Sequence, residues 1–91
     1  MSKTDELINN KRKNSEEFDR AYREEDAKLK AAIALMELRQ SKGWTQRDLA
    51  EKSGKPQSTI ARIENGNMNA TVKLLAEIGT AAGCQLTISY K

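Results

Sequence analysis

Ninety-one residues with 37% hydrophobic and only 4% aromatic side chains suit one small domain whose core is built from Leu, Ile, Ala, Val and Met. One cysteine, Cys84, and no histidine rule out an intrachain disulfide and a thiolate metal cluster, and no phosphate-binding glycine loop is evident. The formal charge of +3 is too small to demand a nucleic-acid partner, yet its distribution is uneven. Residues 1–30 hold eight basic and eight acidic side chains, whereas residues 39–62 hold six basic (Arg39, Lys42, Arg47, Lys52, Lys55, Arg62) against two acidic (Asp48, Glu51). Positive charge thus gathers over the middle of the chain, where a phosphate-facing surface would need it.

Residues 1–13 are polar, end in the basic run Lys11-Arg12-Lys13 and are expected to form a flexible tail. No apolar run there suits secretion or membrane spanning, so a reduced, cytoplasmic setting is expected. Asn14, followed three residues later by Glu17, has the spacing of a capping box. From there the chain runs to Gly43 without proline or glycine. Phe18 and Tyr22 lie one helical turn apart, and Leu29, Ile33, Met36 and Leu38 continue an apolar pattern at helical spacing. The pattern fits one long helix or two helices broken near Asp26. Carboxylate pairs such as Glu16/Glu17 and Glu24/Glu25 sit in this charge-rich stretch and read as solvated faces, so no catalytic residue, cofactor or metal ligand is expected.

Three shorter helices follow. Thr45 is an N-cap candidate for QRDLAEKS, which buries Leu49 and Ala50 and stops at Gly54. The next helix spans about 57–65 behind the chain's only proline, Pro56, turns Ile60 and Ile63 inward and stops at Asn65-Gly66. Thr71 can cap VKLLAEIGTAA, in which Val72, Leu75, Ile78 and Ala82 form an apolar stripe ended by Gly83. In the last segment the period changes: Cys84, Leu86, Ile88 and Tyr90 alternate with polar residues, as in a half-buried strand. A lone strand needs a partner for its backbone groups. Either it pairs with a second copy of itself across a two-fold axis, with Leu86, Ile88 and Tyr90 as dimerisation residues, or it adds to the sheet edge of another protein. A frayed tail is the third outcome.

Residues 45–66 therefore read as two helices joined by a tight glycine turn, the second held proud enough to enter a major groove. Its outward residues are Gln57, Ser58 and Arg62, with Lys55, Thr59 and Ala61 at the margins. A glutamine can pair with adenine and an arginine with guanine, each worth about 1–3 kcal/mol of discrimination.

The stretch TQRDLAEKSGKPQSTIARIENG resembles the Xre/Cro-type helix-turn-helix repressors of phage and bacteria, through Thr-Gln, Leu-Ala, Gly, Gln-Ser-x-Ile and Glu-Asn-Gly at the family's spacing. The resemblance extends from about Leu35 to Gly83. It implies an all-α, lambda-repressor-like domain of about five helices with the C-terminal β-strand appended. The chain then divides into a tail (1–13), an N-terminal helical extension (14–34), the helix-turn-helix domain (35–83) and a C-terminal dimerisation strand (84–91). By the same resemblance Gln57, Ser58 and Arg62 read bases, and Gln46 and Asn65 contact phosphates; Lys55 and Thr59, at the margins of the reading helix, are expected to join them on the phosphates. Arg39 and Glu64 match a structural salt bridge. Pro56 departs from the family, which often has Ser or Thr there as the N-cap of the reading helix.

The charged N-terminal helix, the KPQSTIARIENG helix and the terminal strand together look like HigA-type antitoxins, and the strand is also similar to that of HipB-type antitoxins. This implies a dimer that binds a pseudo-palindromic operator and represses its own operon. It further implies a RelE/HigB-like mRNA-cleaving toxin as partner, with Phe18 and Tyr22 either docking on it or packing on the body of the domain. A stand-alone phage-like repressor without a toxin would use the same reading surface. A third alternative is a protein-interaction module that kept the fold and lost DNA binding.

Overall fold

The computed structural model describes residues 16–90. Four helices stand in chain order among them: α1 (Glu16–Ser41), α2 (Gln46–Ser53), α3 (Gln57–Glu64) and α4 (Val72–Ala81). The expected flexible tail and the Asn14 cap lie outside the described residues, as does Lys91.

The first helix is unbroken, so the described residues hold four helices where about five were expected. Nothing in Glu16–Ser41 breaks the helical hydrogen-bond ladder, and Asp26 supports it through an ion pair with Lys30 one turn on, at 2.9 Å. Acidic Glu16, Glu17 and Asp19 open the helix and Arg39 closes it, the order that its dipole favours. The helix also runs through residues 34 and 35, so extension and domain share one continuous element.

The apolar face of α1 is only in part the expected one, since Leu38 packs on the core but Leu29 and Ile33 do not. Ala31, Ala32 and Leu35 are buried, with Leu38 packed beside them, whereas Leu29 is 57% and Ile33 43% exposed. Both sets recur at helical spacing, and periodicity alone does not choose between them. The alanines let α1 approach the rest of the domain closely, which bulkier side chains there would prevent.

Leu49, Ile60, Ile63 and Ile78 have no exposed surface and form the centre, joined by Ala31, Leu35, Ala50 and Ala82. Each large aliphatic buried this way contributes about 1.5–3 kcal/mol relative to exposure. Trp44, Met68, Ala70, Leu74 and Leu75 close the edges. Val72, expected in the same stripe of α4, is instead exposed at the helix start. Thr71 caps α4 by accepting the Leu74 N–H at 3.0 Å.

After α4 the chain turns at Gly83, and the Cys84 N–H donates to the Gly79 carbonyl at 2.8 Å. Residues 84–90 form no strand. Among the described residues, Gln85–Tyr90 make no backbone–backbone hydrogen bond, as expected of a segment without a neighbouring strand. The segment crosses directly over Gly79, where an added Cβ would stand 3.4 Å from the Cys84 carbonyl oxygen. Leu86 lies over a groove lined by Ala34, Leu35, Leu38 and Leu75, while Ile88 and Tyr90 point to solvent.

Candidate nucleic-acid interface

Helix α2 begins with a reciprocal cap. The Thr45 hydroxyl accepts the Asp48 N–H at 3.1 Å, and the Asp48 carboxylate accepts the Thr45 N–H at 2.9 Å. Hydrogen bonds to the carboxylate from the Thr45 N–H and, next, the Thr45 side chain hold the Asp48 carboxyl below its ordinary pKa. The helix ends at Gly54, whose φ of 68° is a left-handed conformation that residues with a Cβ resist. That turn lets α3 start three residues later, at Gln57, across α2.

Pro56 stands immediately before α3, with φ −59° and ψ 142°. Its carbonyl accepts the N–H groups of Thr59 and Ile60, so the helix starts on the proline's backbone without a side-chain cap. Proline costs nothing here, because an N–H at this position has no helical partner to lose. The other end closes with the Gly66 N–H on Ile63 and the Asn67 N–H on Arg62, the paired bonds of a Schellman ending.

Ile60 and Ile63 anchor α3 to the core, and this fixes which side chains face out. Gln57, Ser58 and Arg62 are exposed on the side away from the core, and Asn65 is exposed just past the helix. Thr59 is half-buried, at the margin of that face. The structure therefore brings Gln57, Ser58 and Arg62 onto one open surface.

Two of the remaining expected contacts are already engaged. The Lys55 ammonium lies 2.5 Å from the Glu77 carboxylate on α4. The hydrogen bond and charge of Lys55 hold the Glu77 carboxyl below its ordinary pKa. The Gln46 side-chain amide donates to Glu64 at 3.4 Å. Glu64 is the one buried charged side chain among the described residues. Arg39 holds it with two bonds, Nε to Oε2 at 3.0 Å and Nη2 to Oε1 at 3.1 Å, and donates a third to the Trp44 carbonyl at 3.0 Å. This fork ties α1, the α1–α2 turn and the end of α3 together, and through Gln46 reaches the start of α2. The Arg39–Glu64 pair was legible in the motif, but the Lys55–Glu77 pair joins residues 22 positions apart and had no sequence signal.

The helix-turn-helix family profile matches residues 35–88, from the inner half of α1 to the terminal segment. The chain belongs to the helix-turn-helix family. It is 37% identical over 57 residues to the antitoxin HipB of Escherichia coli K12, a stretch covering 63% of this chain and 65% of that protein. The HipB of E. coli O6:H1 strain CFT073 is 35% identical over 57 residues, 63% of this chain and 61% of its own. A competence pilus inhibition repressor of Acinetobacter baylyi is 35% identical over 54 residues, 59% of this chain and 49% of the repressor. The matched stretch thus spans about half to two thirds of the length of these relatives. No solved structure matches the chain.

Among the described residues, no helix is long and apolar enough to cross a membrane.

Proposed function

We propose that the chain is a sequence-specific DNA-binding regulator, not an enzyme, that represses its own operon as a dimer and neutralises a toxin encoded with it. The observation that carries the DNA-binding part is the open face of α3, with Gln57, Ser58 and Arg62 presented by a helix whose opposite side is fully buried. Gln57 and Arg62 have the donor and acceptor geometry for adenine and guanine edges, and Ser58 leaves room between them. Gln46, Lys55, Thr59 and Asn65 are the phosphate contacts of this reading, with Lys55 first having to leave Glu77.

One short helix reads few base pairs, so a dimer on a pseudo-palindrome follows, with half-sites about one helical turn apart. Leu86, Ile88 and Tyr90 supply its contact. In this reading the segment 85–90, which makes no backbone–backbone hydrogen bond among the described residues, becomes a strand by pairing with its own copy.

The toxin part rests on similarity to two HipB antitoxins and on a first helix longer than a DNA reader needs. The partner on this reading is a RelE/HigB-like mRNA-cleaving enzyme, and the chain is of the HigA type and cytoplasmic. Phe18 and Tyr22, 39% and 57% exposed, are its first candidate contacts. The similarity to the Acinetobacter repressor favours the second reading, a repressor without a toxin.

A gel shift with the DNA upstream of its own gene tests the first part. Arg62→Ala should weaken binding by about 1–3 kcal/mol and relax base preference. Equal, preference-free binding by wild type and variant would leave only the interaction-module reading. Co-purification at native levels separates the other two: a small basic protein recovered with the chain marks an antitoxin, and its absence marks a stand-alone repressor.

A further inference from the structure

The six cations of residues 39–62 are not all open to a polyanion. Arg39 is held by buried Glu64, and Arg47 lies 3.5 Å from Glu51 one turn on. The Lys52 ammonium stands 5.8 Å from the centre of the Trp44 ring. Lys55 reaches Glu77 at 2.5 Å. Among the described residues, only Lys42 and Arg62 of the six make no side-chain contact of this kind. The charge that composition assigns to this surface is therefore largely answered within the chain.

The Lys55 pair differs from the others in its place. Pro56 alone separates Lys55 from Gln57, and the pair crosses from the α2–α3 turn to α4, joining residues 22 positions apart. The backbone is fixed there, because the Lys55 N–H donates to the Ser53 hydroxyl at 3.4 Å and Pro56 follows with φ −59°. Only the flexible stem of the lysine is left to turn. With 28% of the lysine side chain and 42% of the glutamate exposed, water and other anions reach both ends of the pair. The fold does not depend on it, since Ile78 and Ala82 already hold α4 in the core and partly exposed ion pairs are weak.

To an ammonium, a carboxylate and a phosphodiester offer the same thing, a negatively charged oxygen acceptor. Glu77 is thus a phosphate substitute carried on α4. The hydrogen bond and then the charge of Lys55 hold its carboxyl below its ordinary pKa, and Lys73, one turn earlier on α4, adds to them. Lys73 remains beside the carboxylate when Lys55 leaves, so the exchange strands no charge.

We propose that Glu77 competes with the DNA backbone for Lys55, so that the chain binds every duplex more weakly than its cations alone dictate. This rests on the DNA-binding reading and names a residue outside α3 that sets its strength. In a loose complex on unrelated sequence the phosphates are not held in place, and Lys55 stays on Glu77. Where α3 is seated in a groove, a phosphate displaces Glu77, and part of the free energy of that contact goes into breaking the pair.

The test uses the full chain, a duplex from upstream of its own gene and a scrambled duplex of the same length. Binding is followed by fluorescence anisotropy between about 50 and 200 mM salt. Glu77→Gln should tighten binding to the scrambled duplex by roughly three- to fivefold at low salt. Most of that gain should vanish at high salt, because one added phosphate contact steepens the slope by about 0.9. The upstream duplex should also be bound more tightly, since its complex no longer has to break the pair. Glu24→Gln adds the same charge on the part of α1 ahead of the core, and should do much less because salt screens it. In a Lys55→Met chain, Glu77→Gln should do no more than Glu24→Gln does in wild type. Equal slopes and affinities in the Glu77→Gln and Glu24→Gln chains would overturn the competition while the DNA-binding reading stands. A Glu77→Gln chain that loses helicity and binds less tightly would make the pair a structural brace and overturn it too. A wild-type chain that binds neither duplex at low salt would remove the reading and the inference with it.

Discussion

At the scale of single residues, Glu64 and Lys55 show two different uses of charge. Glu64 is buried, so its carboxylate is tolerable only because Arg39 meets both oxygens. Arg39→Ala should cost about 3–5 kcal/mol in urea unfolding, because it strands a buried charge. An Arg39→Met/Glu64→Met chain should recover much of that loss, since neither charge then needs compensation. Lys55 is different, because its partner Glu77 is exposed and competes with phosphate for one ammonium. Glu77→Gln should strengthen binding to non-cognate DNA and steepen its salt dependence by about one unit of slope. Unchanged salt slopes would show that Lys55 takes no part in phosphate contact. Asp48 and Glu77 also set an acid limit. Both carboxyls ionise more readily in the folded chain than in the unfolded one. Their contribution is therefore complete above the unfolded value of about 4 and is lost as pH falls through the lower folded values. The thermal midpoint should fall below about pH 4, and less steeply in an Asp48→Asn/Glu77→Gln chain than in wild type.

At the scale of elements, the sequence was most legible where local chemistry and burial agree. Thr45 and Thr71 cap the helices they precede, and Gly54 makes the turn between α2 and α3. Leu49, Ile60 and Ile63 meet in the core as their spacing demanded. Legibility failed in α1, where Leu29 and Ile33 are as periodic as Ala31 and Leu35, and hydrophobicity favoured the larger, exposed pair. Close helix packing selected the smaller residues instead. Nor did any pattern mark Gly79, which reads as an ordinary helix residue yet lies under the crossing of the terminal segment. Gly79→Ala should be nearly neutral, because its Cβ would stand 3.4 Å from the Cys84 carbonyl while the helix gains propensity. Gly79→Val adds methyl groups with no room under that segment. On the dimer reading it should raise the dimer dissociation constant in sedimentation, and an unchanged constant would detach residues 84–90 from dimerisation.

At the scale of the whole molecule, the α3 face turns Gln57 and Arg62 outward, and the terminal segment leaves Gln85–Tyr90 without a backbone–backbone hydrogen bond among the described residues. On the proposed reading, one chain holds DNA with the first and its own copy with the second. The fold was readable because a compact core imposes periodicity on the residues that build it. On the proposed reading the partners were less readable, because the terminal alternation would be completed by a second copy of the chain. Truncation after Gly83 should leave a folded monomer whose operator binding is much weaker than that of the full chain.

The central claim, that α3 reads DNA in a symmetric pair, is tested most directly by footprinting the full chain on the DNA upstream of its own gene, with Arg62→Ala and Gln57→Ala alongside. Two protected half-sites about one helical turn apart are predicted, both lost in the variants at concentrations that protect with wild type. Protection without a repeated half-site, or protection identical in wild type and both variants, would contradict it.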